Sequence, residues 1–201
     1  MIIGPRYKKA RYLGAPVFRK TQTQKFAIRS QQKVKKGGMR SNKSEFGRQL
    51  LEKQKARYSY GVSGGQFTNY VKKALATQGD NAKNLLHLLE GRLDNVVLRA
   101  GFAQSHSAAR QMVAHGHLMV NGKGVNIPSY EVRIGDVISI REGSKKKTLF
   151  AKLDEQVAAN ASPAWIKVNV EKREITIDGE PSTDMTSLLF NVRSVLEFYT
   201  R

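Results

Sequence analysis

The sequence predicts an α+β fold in which a mainly helical N-terminal domain precedes a small α/β module. Three patterns support this prediction. Apolar residues recur at helical spacing through residues 45–91, alternate with polar residues after residue 117, and return to helical spacing over 186–201. Helical and strand-forming stretches that are segregated along a chain are typical of the α+β class. A length of 201 residues allows one or two domains.

The helical domain is predicted over residues 45–91, as three helices. The first begins near Glu45, and the pattern is interrupted at Gly61 and Gly64-Gly65. We expect Phe46 and Phe67 to lie in the core. The apolar positions of the three helices are Phe46, Leu50 and Leu51, then Phe67, Tyr70, Val71 and Leu75, and last Leu85, Leu86, Leu88 and Leu89.

A last helix is predicted in residues 186–201, from apolar positions that include Leu189, Val192, Val195 and Tyr199. A helix this short is not stable alone. We therefore expect it to pack on the N-terminal helices, which makes the helical domain discontinuous in sequence.

The module is predicted over residues 92–185 and begins with two short helices. In the first, Leu93, Val96, Val97 and Ala100 form one apolar stripe, and Gly101 follows where a left-handed residue is favoured. The second is capped by Ser105 or Ser107, packs inward through Ala109, Met112 and Val113, ends at Gly116, and leaves Arg110 and Gln111 outside.

Strands follow the two helices. Leu118 and Val120 alternate with polar neighbours, and Asn121-Gly122 is a strong hairpin-turn dipeptide. Shorter alternating pieces between Trp165 and Ile177 predict further strands.

The charge distribution indicates a polyanionic partner. Lys and Arg total 35 against 16 Asp and Glu, and residues 1–60 alone hold 17 basic and 2 acidic side chains. Such density favours nucleic acid over a solvated face. Residues 1–44 form a basic, Gln-rich arm with weak periodicity, which we expect to be irregular until it binds RNA.

Other classes of protein fit the composition less well. Residues 1–44 show no amphipathic stripe of the kind that binds membranes, and no apolar run nears the roughly 18 residues that span a bilayer. Without a signal-peptide pattern, the chain is interpreted as intracellular. Its lack of cysteine excludes disulfides and thiolate metal sites.

Residues 92–140 resemble the S-four (S4) RNA-binding module. The resemblance depends on Arg92-Leu93-Asp94, a Ser-X-X-X-Ala-Arg-Gln pattern that ends at Arg110-Gln111, Val120-Asn121-Gly122, and Ile134 to Ile138. The flanks sharpen it. The segment from Lys43 to Val62, the leucine-rich stretch from Asn84 to Glu90, and the last five residues, Glu197 to Arg201, are similar to small-subunit ribosomal proteins of the S-four family.

This resemblance implies a structural component of the ribosome that has no catalytic step. It implies direct binding to small-subunit ribosomal RNA, early assembly, contact with a neighbouring small-subunit protein, and a place on cytoplasmic or organellar ribosomes. A basic face near the messenger-RNA entry path and a role in translational accuracy are further implications.

No cofactor and no zinc ion are expected. Many members of the family hold zinc with N-terminal cysteines, which this chain lacks, and its four histidines all lie at residue 87 or beyond. His106, His115 and His117 have no thiol or acidic partner placed beside them, so we interpret them as surface or loop residues rather than zinc ligands.

Basic residues supply phosphate contacts, and amide, hydroxyl and aromatic groups can bind sugar or base. The side chains predicted to contact RNA are Arg40, Lys43, Arg48, Lys53, Lys55, Arg57, Tyr60, Arg92, Ser105, His106, Arg110, Gln111, His115 and Lys123. Some of these predictions have open alternatives. Arg110 and Gln111 can instead lie on an ordinary solvated helix face, and Lys123 can be a solvated turn residue. Arg92 can instead pair with Asp94 or Glu90, and Tyr60 can instead lie in the core.

An enzyme is the main alternative in function. Pseudouridine synthases also carry the module, and their catalytic aspartate lies in an Arg-Leu-Asp motif, which would make Asp94 a nucleophile. Here the motif opens the module, and the 61 residues after Ile140 are too few for a catalytic domain. We interpret Asp94 as the cap of the first module helix. A free RNA chaperone or translational regulator would lack the Lys43 to Val62 segment and the C-terminal helix, and both are present.

Overall fold

The computed structural model describes residues 3–29 and 44–200. The chain divides into two compact units, and the predicted α+β class is confirmed. The first, here called the helical unit, comprises Met1–Ala82 and Asp184–Arg201. The second, the sheet unit, comprises Lys83–Thr183. No helix in the described part of the chain is long and apolar enough to cross a membrane.

The helical unit contains α1 (Arg6–Leu13), α2 (Glu45–Ser59), α3 (Gly64–Ala76) and, from the end of the chain, α8 (Val192–Thr200). Serines define two of the helix starts. The Ser44 side chain accepts a hydrogen bond from the Gly47 backbone N–H, and Ser63 forms a reciprocal capping box with Gln66.

The expected packing of the C-terminal helix on the N-terminal helices is confirmed, because α8 lies against α2. The Gln49 side chain donates to the Glu197 carboxylate at 3.3 Å, and the Asn191 backbone N–H donates to the Glu52 carboxylate at 2.8 Å. The helical unit is therefore discontinuous in sequence.

The N-terminal segment corrects one prediction. Residues 3–29 are not irregular, because α1 and the turn after it pack on α2. Ala10, Leu13 and Phe18 are buried in a small cluster with Leu51, and the rings of Phe18 and Tyr58 meet edge to face at 5.5 Å. Residues 30–43 lie outside the described part of the chain.

The core prediction for the two phenylalanines is half right. Phe67 is fully buried in α3, as expected. Phe46, in the first turn of α2, is 51% exposed, and the ring of Phe198 lies 5.4 Å from it. Apolar spacing shows which face of a helix is hydrophobic, but it does not show whether every turn of that face is covered by other residues. The first turn of α2 is covered only in part.

The sheet unit holds α4 (Asn81–Glu90, from Lys83 onward), α5 (Leu93–Arg99), α6 (His106–Ala114) and α7 (Leu153–Ala158). Its strands are listed in chain order as β1 (Leu118–Val120), β2 (Lys123–Gly124), β3 (Val137–Ile140), β4 (Ile166–Asn169) and β5 (Glu174–Ile177). They form one antiparallel sheet in the order β2-β1-β3-β5-β4.

One hydrophobic core joins α5 and α6 to this sheet. The predicted stripes of both helices are buried in it together with the inward residues of β1, β3 and β5. Gly101 and Gly116 follow the two helices with φ of 81° and 67°, as their left-handed positions require. The two-helix prediction is therefore confirmed.

The predicted hairpin is also confirmed. Asn121 and Gly122 both have positive φ, which is the type I′ turn that suits twisted strands, and Val120 pairs with Lys123. The Asn121 side chain donates to Asp136 at 2.8 Å and accepts from the Val137 backbone N–H at 2.9 Å. This amide therefore connects the hairpin to the start of β3.

Candidate nucleic-acid interface

Helix α6 presents the main candidate surface of the sheet unit. Ser105 is its N-cap and accepts a hydrogen bond from the Ala108 backbone N–H at 3.3 Å, which selects Ser105 over Ser107. Ala109 and Met112 are buried beneath the helix. Gln111 is exposed, and Arg110 keeps 25% of its side chain exposed.

Arg110 does not extend into solvent alone, because its guanidinium is held by a buried carboxylate. Its Nε and Nη2 donate to the Oδ2 atom of Asp94 at 3.1 and 2.8 Å. Arg92 donates to the same carboxylate through Nε at 2.9 Å and Nη2 at 2.8 Å. Asp94 is fully buried and Arg92 is 2% exposed.

These contacts show the roles of Arg92 and Asp94 in the folded chain. The ion-pair alternative for Arg92 is confirmed, and a side chain so buried has almost no surface to offer an RNA. The capping role expected for Asp94 is wrong. The backbone N–H groups of Leu93 and Asp94 instead donate to the carbonyls of Tyr130 and Pro128 at 2.8 and 3.1 Å. The carboxylate is thus available to bind guanidinium groups.

A second buried carboxylate fixes the end of α4 to α5. Glu90 is fully buried and accepts from Arg99 through Nε at 3.1 Å and Nη2 at 2.7 Å. The Asn95 side chain donates to the same carboxylate at 2.6 Å and to the Glu90 carbonyl at 3.2 Å. Asp94 lies within residues 92–140, which resemble the S-four module, and Glu90 lies just before them.

His106, at the start of α6, is kept neutral at physiological pH. Its pKa is lowered to about 4, mainly by burial; Asp94 and Glu90 oppose the shift, while Arg99 and Arg110 add to it. A neutral imidazole can accept or donate a hydrogen bond, but it adds no positive charge to the surface.

The remaining candidates of the sheet unit are exposed. His115 follows the last turn of α6, and Lys123 lies in β2 just after the hairpin turn. The His115 and His117 rings lie 6.0 Å apart. Burial, then Lys147 and His115, lower the pKa of His117.

Among residues 3–29 and 44–200, no group of three or more His, Asp or Glu side chains is placed to hold a metal ion.

The candidates on α2 differ in how they are held. Arg48 is exposed. Lys53 lies over the Phe198 and Tyr199 rings, with Nζ 4.4 and 4.8 Å from their centroids. Lys55 pairs with Glu52 at 2.7 Å. These three cations belong to the helical unit and remain candidates for phosphate contact.

Arg57 and Tyr60 lie near the end of α2. The Arg57 guanidinium stacks 4.5 Å from the centre of the Tyr58 ring. Tyr60 is buried and meets the Phe190 ring edge to face at 6.2 Å, so the core alternative is confirmed and base stacking by this ring is not supported. Arg40 and Lys43 lie outside the described residues.

Sequence reasoning missed two features of the site. One is helix α1, which exposes Lys8 and Arg11. The sequence shows a high density of positive charge in this segment but no apolar stripe that would predict a helix. The other is the shared carboxylate of Asp94. The Arg92-X-Asp94 spacing allows the ion pair between Arg92 and Asp94 to be predicted. Nothing in the sequence shows that Arg110, 16 residues after Asp94, binds the same carboxylate.

The fold and this cationic helix face define a protein with an S4-type RNA-binding domain. The family model described as S4 domain matches residues 91–138, and the one described as ribosomal protein S4/S9 N-terminal domain matches residues 1–90. Small ribosomal subunit protein uS4 of Delftia acidovorans is 41% identical over 99% of this chain and 98% of its own length. The uS4 protein of Chromobacterium violaceum is also 41% identical over 99% and 98%. That of Syntrophomonas wolfei is 46% identical over 82% of this chain and 78% of its own.

The chain therefore belongs to the uS4 family of small-subunit ribosomal proteins. This family is structural and non-enzymatic, which excludes the synthase alternative. The S-four resemblance of the sequence is confirmed over the full chain.

Proposed function

We propose that the chain is a structural constituent of the small ribosomal subunit in the cytoplasm, where it binds small-subunit ribosomal RNA directly and helps to nucleate assembly. The observation that supports this most strongly is the outward face of α6. It combines an anchored guanidinium at Arg110 with an exposed amide at Gln111. A guanidinium matches phosphate through forked hydrogen bonds, and an amide can bind sugar or base edges.

His115 and Lys123 extend this surface at the end of α6 and in the hairpin. Both are exposed. The Ser105 hydroxyl and the neutral His106 ring at the start of α6 are candidates for hydrogen bonds rather than for charge neutralisation. We propose that the sheet unit recognises RNA shape through these few groups, which are fixed by one rigid core.

The helical unit would contribute the larger electrostatic attraction. Residues 1–60 hold 15 more basic than acidic side chains, whereas the other 141 residues hold an excess of only 4. Each phosphate that a protein neutralises steepens the fall of log affinity with log salt by about 0.7–0.9. We propose that Arg48, Lys53, Lys55 and Arg57 take part, together with the basic residues before Ser44.

A neighbouring small-subunit protein is the second proposed partner. An open groove in the helical unit is lined by Met185, Leu188 and Leu189, and two of these, Met185 and Leu189, are at least 40% exposed. Apolar side chains grouped in this way often mark protein contacts. Leu189→Ser should weaken cross-linking to the neighbouring protein in reconstituted subunits but leave affinity for free RNA unchanged.

A finer proposal concerns messenger RNA. Residues 30–43 contain five basic and no acidic residues, among them Arg40 and Lys43. Family resemblance supports a position for this segment near the messenger-RNA entry path, with an effect on accuracy. Arg40→Glu with Lys43→Glu should slow translation through a stable messenger hairpin and leave an unstructured message unaffected. Equal slowing of both messages would contradict it.

The test of the main proposal compares small-subunit ribosomal RNA with a scrambled RNA of equal length, each titrated across salt. We expect a large affinity ratio that persists as salt rises. Arg110→Ala should lower affinity for the ribosomal RNA by about 30-fold, the size of one lost charge-assisted contact. Arg133→Ala removes an exposed cation elsewhere in the sheet unit and serves as the matched control. Equal affinity for both RNAs would refute the proposal.

A further inference from the structure

We propose that Asp94 is a positioning residue for RNA recognition, in that its buried carboxylate fixes the Arg110 guanidinium in one orientation at the RNA-binding surface. This inference deepens the proposed function and rests on it. Asp94 itself is fully buried and would not touch the RNA.

The geometry is that of a clamp with two cations on one anion. Arg92, the residue just before α5, donates to both carboxylate oxygens of Asp94, at 2.9 and 2.8 Å. Arg110 approaches Oδ2 from α6 through Nε and Nη2, at 3.1 and 2.8 Å. Two bonds from one edge of a planar guanidinium fix its plane as well as its position.

The charges around Asp94 indicate that Arg110 does more than neutralise this carboxylate. Arg92 is 2% exposed and already supplies one positive charge for one negative charge. Counted over Asp94, Arg92 and Arg110, a second guanidinium leaves an excess of one positive charge, and Arg110 is the most exposed of the three, with 25% of its side chain exposed. The excess charge is therefore presented at the surface.

Two neighbouring groups, Glu90 and His106, do not cancel this excess. Glu90 is paired with Arg99 through two hydrogen bonds and with the Asn95 amide. His106, which faces the same cluster, is neutral. Within this cluster, Arg110 is thus the cation through which the excess charge can meet a phosphate.

Fixing the side chain in advance should strengthen RNA binding. A long side chain such as arginine loses substantial rotamer freedom when it is immobilised. If Asp94 has already removed that freedom in the free protein, the RNA need not do so. The corresponding gain in affinity is about tenfold.

A double-mutant cycle on RNA affinity tests the inference, with the full chain and small-subunit ribosomal RNA. Asp94→Asn keeps the shape of the side chain and removes its charge. We expect it to weaken binding about tenfold in the wild-type background and to have no further effect when Arg110 is already alanine. A purely structural role for Asp94 would instead weaken binding by the same factor in both backgrounds, and that result would overturn the inference.

Asp94→Asn also leaves Arg92 buried without its anion, so the fraction of folded protein must be measured alongside by urea unfolding. Should this variant not fold, Arg110→Lys gives the answer. Lysine keeps the charge but cannot make the two-bond contact with Asp94, so we expect it to lose about tenfold in affinity, as Asp94→Asn does, and not the roughly 30-fold of Arg110→Ala. Wild-type affinity in the lysine variant would overturn the inference.

Different results would overturn the proposed function and the positioning role of Asp94. If wild-type protein does not distinguish ribosomal from scrambled RNA, the proposed function fails. If it distinguishes them but the Asp94 and Arg110 effects are additive, only the positioning role fails. Arg133→Ala should leave both the affinity ratio and the cycle unchanged.

Discussion

Replacing His106 with glutamine should remove a defined part of the acid sensitivity of this fold. The imidazole has a pKa of about 4 in the folded chain, against 6.5 for an unperturbed histidine, chiefly because it is buried. Arg99 and Arg110 lower the pKa further, and Asp94 and Glu90 raise it. Above pH 6.5 the ring is neutral in both folded and unfolded chains, so this group contributes no pH dependence there.

Between pH 6.5 and 4 the unfolded chain binds a proton that the folded chain does not. Stability therefore falls as the pH falls through this window, and the loss is complete below pH 4. For His106 alone the loss is about 2 kcal/mol at pH 5 and roughly 3 kcal/mol in full. The glutamine variant lacks this loss, whatever its stability at pH 7.

The assay is urea unfolding, followed by circular dichroism from pH 8 down to pH 4.5. The quantity of interest is the difference in unfolding free energy between wild type and His106→Gln at each pH, because carboxylate titrations common to both chains largely cancel. Comparing the same difference for His115→Gln, which replaces an exposed histidine, controls for the loss of a histidine as such. A constant difference between pH 7 and pH 5 for His106→Gln would refute the reasoning.

Three further predictions concern stability at neutral pH, each measured by urea unfolding. Phe67→Ala should cost about 3–5 kcal/mol because the ring is fully buried, whereas Phe46→Ala, with half of its ring exposed, should cost less than about 2. Similar losses for both would contradict the assigned core. Glu90→Gln should cost about 2 kcal/mol, since Arg99 loses its anion but can still reach water. Asn121→Ala should cost about 2 kcal/mol from two lost hydrogen bonds and a strained positive φ, and Asn121→Gly should lose only the bonds.

Short-range sequence patterns predict the structure correctly where the conformational preference of the residues and their packing favour the same conformation. The stripe from Leu93 to Ala100, the glycine after it, and Asn121-Gly122 each define their own conformation and also bury a continuous apolar face. The C-terminal helix could be assigned to the helical unit because no helix so short and apolar is stable without a partner.

What the sequence did not reveal depends on distant contacts. Helix α1 has little apolar periodicity of its own, and its order comes from packing of Leu13 and Phe18 near Leu51, more than 30 residues away. The shared carboxylate at Asp94 likewise requires that α5 and α6 pack together before Arg110 can reach it. Local spacing carries no information on either contact.

Two fully buried carboxylates of the sheet unit, Glu90 and Asp94, also bear on how this module can be both basic and ordered. An arginine left alone on a helix face samples many rotamers, and a cluster of such side chains binds any polyanion equally well. Here Arg99 and Arg110 are each tied to a buried acid, so their positive groups occupy defined places. Positioned cations discriminate between RNA shapes, whereas a dense cationic segment such as residues 1–60 supplies attraction with little discrimination. Salt should therefore weaken binding mainly through the N-terminal residues, and loss of Arg110 should lower the ribosomal-to-scrambled affinity ratio while changing the salt slope by no more than about one.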